Sequence, residues 1–434
     1  MSVEMVGVIG IIVMLVLMFL KVPIAIAMFV PAAIGIIYLR GFDTLTAGVE
    51  TIVWDHSFSY TLTTIPMFVL MGELLFVGGI SSELFNAFRL WLNRLRGGLA
   101  MATIGSSAVF SAASGSSLAN TATMGVIASK EMLNAGYNRY LTSGSIVAGG
   151  TLGVLIPPST LFIIYGMMTE QSIGQLLIAG LIPGILLMLL YMLTVYIIVL
   201  IKPEYAPKLE KKVTWGEKLK SLKSTVWIVA LFTIVIVGMY LGWFSPTEAA
   251  GIGAFSTLLI TIVRKKLTIN SFVKALSSTL KTTGFIFVII IMAFVLNYFL
   301  TITRVPMVLA DFLNGLNIPN WVLFAIIIFI YVIMGMVMDS LAMVVVTLPI
   351  VLPLILMMGF DLIWFGVIIV LIMEFSMITP PVGMNCFVLR GAVPELKLGE
   401  IFRGSSMFLL PILILIVILY IFPDIALFLP SKMF

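Results

Sequence analysis

The sequence predicts an all-α polytopic membrane protein made of inverted repeats, each with a re-entrant helical hairpin and a discontinuous helix. Three observations carry this reading. Of 434 residues, 61% are hydrophobic and 10% charged, with a mean hydropathy of +1.22, whereas a soluble domain has about 25% charged residues. Two short polar segments, 114–125 (SGSSLANTATMG) and 338–349 (MDSLAMVVVTLP), interrupt the apolar chain. Each precedes a Pro-Pro pair at the same distance, because Ser117 stands 40 residues before Pro157 and Ser340 stands 40 before Pro380.

A membrane helix needs about 20 mostly apolar residues, which leaves room for roughly ten spans plus shorter pieces. The apolar runs are continuous rather than alternating, so helices are expected and a barrel is not. Charge is unevenly placed: residues 202–223 hold seven Lys against three Glu, and Arg264, Lys265 and Lys266 form a second basic knot. Positive loops stay in the cytoplasm. A short loop with interspersed Glu is no nucleic-acid surface. One cysteine, Cys386, excludes an internal disulfide, and the single histidine, His56, leaves no cluster for a transition metal.

In chain order, 1–58 holds two spans, 5–20 and 24–39, joined by a turn at Lys21 and Pro23. The first run carries Glu4 and no basic residue or cleavage site, so it reads as an uncleaved span with the N-terminus outside. Asp55, His56, Ser57 and Ser59 read as an interfacial loop. The first repeat is 59–201. It begins with a span at 60–77 and continues in an amphipathic helix at 81–96, whose Leu84, Phe85, Phe88, Leu92 and Leu95 share a face. Residues 98–136 are too short for two spans and form a hairpin turning near 115–120, entering and leaving from the cytoplasm. A helix at 140–169 breaks at Pro157 and Pro158, where helical geometry is disfavoured, and a span at 174–201 follows.

A basic cytoplasmic loop at 202–224 precedes linking spans within 225–281. The second repeat, 282–422, has a span at 283–300 and an amphipathic segment with Leu309, Phe312, Leu313 and Leu316 on one face. Hairpin 321–359, a helix at 362–392 broken at Pro380 and Pro381, a last span and a tail at 423–434 complete the chain. At an offset of 223 the pairs Ser117/Ser340, Leu118/Leu341, Ala119/Ala342, Gly136/Gly359, Pro157/Pro380 and Pro158/Pro381 coincide. The span count sends the first repeat's opening helix inward and the second's outward, so the halves are inverted.

Such an arrangement brings four half-helix ends to the bilayer midplane. Helix N-termini favour an anionic group, and unwound carbonyls with Ser, Thr or Asn oxygens suit Na+. Candidate sodium ligands are Ser114, Ser116, Ser117, Asn120 and Gly153, with Asp339, Ser340, Ser376 and Thr379 from the second repeat. Thr121 and Thr151 offer further oxygens. Candidate substrate contacts are Ser116, Asn120, Ser159, Asp339, Thr347 and Asn385, with Arg304 for a carboxylate. Asp339 is the sharpest of these, since a mid-membrane carboxylate costs about 2.5 to 3.5 kcal/mol and needs a cation or donor in return. Its plain alternative is a helix cap at the interface. For the small-residue cluster the alternative is close helix packing. Glu73 and Glu374 are intramembrane acids able to carry protons, while snorkelling is the alternative for Arg304 and Arg390.

From about residue 57 to 410, five motifs resemble the large membrane subunit (DctM type) of tripartite ATP-independent periplasmic (TRAP) transporters. They are SFSYTLTTIPMFVLMGELL, SGSSLANTATMG, GTLGVLIPPS, AGLIPG and MITPPVGMN. The resemblance implies an elevator-type carrier of the bacterial inner membrane, driven by Na+, whose transport domain carries both hairpins past a scaffold. It also implies two partners, a small four-span membrane subunit and a periplasmic substrate-binding protein. The substrate it implies is an organic acid such as a C4-dicarboxylate or sialic acid. The longest hydrophilic stretch is too short to capture substrate, which agrees with a separate binding protein, and the start at Met1 reads as the unfused form.

An ATP-driven pump is disfavoured by the lack of a GxxxxGK[ST] loop. An intramembrane enzyme lacks a nucleophile-base pair near either polar segment. A proton-coupled or stand-alone anion symporter and a channel remain alternatives, and sodium dependence separates them.

Overall fold

The chain folds entirely into helices among the residues that the computed structural model describes, namely 1–207, 213–316, 318–336 and 338–433, with side chains 112–114 and 224 outside the description. Among the described residues seven helical stretches are long and apolar enough to cross a membrane, or eight with the bent stretch Trp215–Tyr240 taken as one span. Helices α1 (Val3–Phe19) and α2 (Ile24–Arg40) meet at a turn where Lys21 takes a φ of 63°. Then come α3 (Phe42–Ser57), a 3-10 turn at Tyr60–Thr63, and α4 (Thr64–Val77).

Next, α5 (Ile80–Leu92) lies with Leu84 and Phe85 buried, its Glu83 paired with Arg264. Helices α6 (Gly98–Ser114) and α7 (Ser117–Asn134) form the first hairpin. The first broken helix is α8 (Arg139–Leu155) followed by α9 (Thr160–Thr169), and α10 (Ile173–Ala179) with α11 (Leu181–Ile201) ends the repeat.

Helices α12 (Trp215–Tyr240) and α13 (Pro246–Val263) link the halves, each opened by a capping box, Thr214 with Glu217 and Ser245 with Glu248. The 35-residue α14 (Ile269–Thr303) follows, then α15 (Val305–Gly315). The second hairpin is α16 (Asn320–Gly335) with α17 (Ser340–Met357), and the second broken helix is α18 (Leu362–Met377) with α19 (Met384–Ala392). Helices α20 (Leu398–Ser406), α21 (Leu409–Ile421) and α22 (Asp424–Leu427) finish the chain.

The two halves repeat each other down to their caps. Each hairpin is closed at its base: Leu99 N donates to Tyr137 Oη at 3.3 Å in the first, and Asn320 Nδ2 donates to the Met358 carbonyl at 3.2 Å in the second. Both then turn at glycines in left-handed backbone, Gly136 with φ 77° and Gly359 with φ 72°, a conformation that costs other residues more. Asn138 caps α8 and Asp361 caps α18, and both Pro-Pro bonds are cis.

The broken helices form the centre. Residues 141–155 of α8 and 364–374 of α18 are all buried. Hairpins and broken helices interlock across the repeats, because α7 packs on α19 and α17 packs on α9. Helix α14 runs along α1, α2, α3 and α4 on the other side. Its Phe299 ring fills a notch left by glycines, for a Cβ at Gly10 or Gly35 would come within 2.6 or 2.2 Å of ring atoms.

Four expectations change. Residues 55–57 are no loop but the end of α3, where the His56 ring stacks on Phe294 with centroids 3.6 Å apart. Residues 215–223, expected in the basic loop, already belong to α12, while 208–212 lie outside the described residues. Helix α14 begins at Ile269 rather than 283, so much of the expected linking region is one helix with the second repeat's first span. On α15, Leu309 and Leu313 pack against the core, but Phe312 and Leu316 are exposed.

Candidate functional site

Two hairpin tips and two helix breaks meet at one cavity of about 660 Å³. The first tip contributes Gly115, Ser116 and Ser117, and the second contributes Asp339, Ser340 and Leu341. Thr160 and Met384, the first residues of α9 and α19, line it as well. Four helix N-termini, those of α7, α9, α17 and α19, thus reach the same space, each leaving backbone N–H groups in its first turn.

The tips are built by capping. Ser116 Oγ accepts from Ala119 N at 3.3 Å to start α7, and Asp339 Oδ1 accepts from Ala342 N at 2.9 Å to start α17. Asp339 therefore is a cap, as its plain alternative held, and it also lines the cavity. Thr160 Oγ1 donates to the Gly115 carbonyl at 3.2 Å, joining the first tip to the first break. Ser117 Oγ lies 3.4 Å from the Met377 sulfur, joining the first tip to the second repeat.

Behind the first tip lies a buried group of oxygens. Asn120 Nδ2 donates to Ser111 Oγ at 2.5 Å, to the Ser107 carbonyl at 3.2 Å and to the Gly149 carbonyl at 3.3 Å. Its Oδ1 has no partner, and neither has Ser107 Oγ or Thr121 Oγ1, all buried. Buried oxygens are normally satisfied, so three orphans on one helix crossing mark a place for a cation or water. The glycines of α8 allow this approach. A Cβ at Gly150 would fall 1.9 Å from Thr121 Oγ1, and one at Gly153 would fall 3.1 Å from the Ser116 carbonyl. Close packing and the polar cluster are therefore the same feature.

The other candidates divide. Ser159 caps α9 through Phe162 N at 3.4 Å. Ser376 is buried against Gly335, and Thr379 Oγ1 donates to the Phe375 carbonyl at 2.6 Å. Thr151 Oγ1 sits 3.1 Å from Tyr191 Oη. Asn385 is fully buried with both amide atoms unpartnered, one residue beyond the cavity-lining Met384. The side chain of Ser114 lies outside the described residues.

Thr347 and Arg304 are not brought to the cavity. Thr347 lies 2.6 Å from Tyr331 Oη in a separate apolar groove between α1, α16 and α17. Arg304 is exposed at the joint of α14 and α15, beside a second cavity of about 200 Å³. Arg390 donates to the Pro394 and Leu396 carbonyls, holding the loop after α19. Of the two acids, Glu73 lines the cavity, whereas Glu374 is fully buried with neither carboxylate oxygen partnered. Sequence reasoning missed Ser278 and Thr282 of α14, which line the same cavity as the tips. Nothing local marks them, since only the fold brings α14 there.

Residues 11–425 match the family described as "Tripartite ATP-independent periplasmic transporter, DctM component". The chain belongs to this family. The C4-dicarboxylate TRAP transporter large permease protein DctM of Pseudomonas aeruginosa is 34% identical over 380 residues, covering 87% of this chain and 88% of that protein. The sialic acid TRAP transporter permease protein SiaT of Haemophilus influenzae is 31% identical over 424 residues, covering 98% of this chain and 68% of that protein. Among solved structures, Neisseria gonorrhoeae MtrF matches with a TM-score of 0.64 at 13% identity, over 96% of this chain and 95% of that one. Alcanivorax borkumensis YdaH matches with a TM-score of 0.60 at 14% identity, over 92% and 89%. At such identities the likeness is one of fold. This DctM-family chain is thus a multi-pass membrane permease, and its relatives are named as transporters of both diacids and sialic acid.

Proposed function

We propose that this chain is the transmembrane permease of a sodium-coupled, binding-protein-dependent secondary transporter that imports an organic carboxylate by an elevator movement. The observation that carries the reading is the meeting of four helix N-termini, from both repeats, at one cavity next to orphaned buried oxygens. The N-termini favour the substrate carboxylate. Sodium is held by neutral oxygens of the first tip, among them Asn120 Oδ1 and Thr121 Oγ1, and by the Asp339 carboxylate at the second. The donors gathered here are neutral oxygens with one carboxylate, a set suited to a hard cation.

The moving part is the interlocked body of hairpins and broken helices, and α4 with α14 is the rail. The second half of α4, at Gly72, Glu73 and Phe76, and the first half of α14, at Ser278 and Thr282, line the cavity together with the tips. Arg264, Lys265 and Lys266 precede α14, so by the positive-inside rule this end is cytoplasmic and the carrier faces inward. In the bacterial inner membrane the N-terminus is then periplasmic and 202–224 cytoplasmic. Its partners are a small four-span membrane subunit and a periplasmic substrate-binding protein.

The purified chain should unfold at a higher temperature in NaCl than in KCl of equal strength, since a ligand bound only by the folded state stabilises it. Equal unfolding in the two salts would remove the sodium assignment. A proton-coupled symporter is the second reading, and the unpartnered, fully buried Glu374 is the observation that favours it.

A further inference from the structure

The cavity wall facing the hairpin tips carries a charge that the transport reading leaves unused. Glu73 of α4 projects there and accepts from Ser278 Oγ of α14 at 2.5 Å, with Thr282 one turn further along α14. The ion pairs among the described residues join Arg89 to Glu131, Arg139 to Glu400 and Arg264 to Glu83, so Glu73 has no cationic partner. Among the described residues no Lys or Arg lines the cavity, and the charged residues in its lining are Glu73 and Asp339.

These two acids stand in different surroundings. Asp339 lies among the helix N-termini and uses Oδ1 as a cap, on the side where cation and substrate carboxylate meet. Glu73 enters the cavity from α4, with Phe76 and Phe285 also in the lining, where the low local dielectric strengthens repulsion between like charges. A substrate that docks one carboxylate on the tips shares the cavity with Glu73, so its remaining groups lie in the space that this acid lines. A second carboxylate there would meet Glu73 uncompensated, and a hydroxyl would donate to Glu73 and accept from Ser278 or Thr282.

We propose that Glu73 is a specificity-determining residue that selects hydroxylated monocarboxylates over dicarboxylates. The proposal rests on the carboxylate-transport reading and narrows it. It makes the acceptor on the rail, and not the tips, the reason one class of organic acid is preferred.

The test is protection of the purified full chain against thermal unfolding, read by tryptophan fluorescence, with gluconate, butyrate and succinate as probes in sodium and in potassium salts. Gluconate should protect at roughly tenfold lower concentration than succinate, with butyrate between them. In Glu73→Gln, which keeps an acceptor for Ser278, succinate should gain and the gluconate-to-succinate ratio should fall to within about threefold. Succinate protecting wild type as well as gluconate, an unchanged ratio in the variant, or no protection by any of the three would overturn the proposal. Discrimination that persists without any sodium effect would instead overturn sodium coupling and leave Glu73's role standing. Sodium-dependent protection without discrimination would do the reverse.

Discussion

Ser116 and Asp339 occupy the same place in the two repeats, 223 residues apart, and cap their helices through the same N3 backbone N–H, that of Ala119 and of Ala342. One tip is capped by a hydroxyl, the other by a carboxylate. The fold asks only for a capping oxygen, which either residue provides, so the cap does not account for the charge at Asp339, which the proposed function gives to sodium.

Replacing Asp339 with Asn or Ser keeps the cap and removes the charge. Both variants should unfold within about 1 kcal/mol of wild type, because capping residues of this class differ little. Sodium dependence of uptake should nevertheless be lost. Unchanged sodium dependence in either variant would sink the role given to Asp339.

The Gly153→Ala change places a methyl 3.1 Å from the backbone of Ser116 and Ser117, atoms that cannot swing aside. Overpacking of this kind costs about 1 to 3 kcal/mol. Thermal unfolding should fall accordingly, and sodium should protect more weakly because the tip is displaced. A variant with wild-type stability and sodium response would show that the tip does not rest on α8 as described.

Glu374→Gln tests the second reading. A carboxylate with no partner in the core is costly if charged, and Gln carries no charge at the same size. The variant should fold with an unfolding midpoint at or above wild type and keep sodium-driven uptake. Loss of uptake together with loss of its pH dependence, in a folded protein, would favour proton coupling.

Burial against Phe294 pushes the His56 imidazole below its ordinary value, with the Asp55 carboxylate opposing. The folded state then binds a proton less readily than the unfolded one. Stability from this residue is present above the unfolded value of about 6.5 and is lost as pH falls below it. His56→Gln should flatten the pH dependence of unfolding between about pH 5 and 7. An identical profile in wild type and variant would remove His56 as its source.

Much of the architecture was legible because the features that define it are residue types at fixed spacing. Pro157/Pro380 and Gly136/Gly359 mark breaks and turns whatever surrounds them. Helix α3 was missed because Asp43, Glu50 and Asp55 interrupt its apolar pattern. The early starts of α12 and α14 were hidden by Lys218, Lys220, Lys274 and Lys281, although the capping pairs Thr214/Glu217 and Thr268/Ser271 were there to be read. Glu73 was legible as an intramembrane acid, but its partner Ser278 lies 205 residues away, and only packing of α4 on α14 joins them.

Sodium-gradient uptake tests the central claim most directly. The chain is reconstituted in liposomes with its small membrane subunit and binding protein, and a labelled organic acid is supplied outside. Uptake should require an inward Na+ gradient and vanish when Na+ is replaced by K+. Uptake that ignored Na+ and followed an imposed pH gradient would contradict the account.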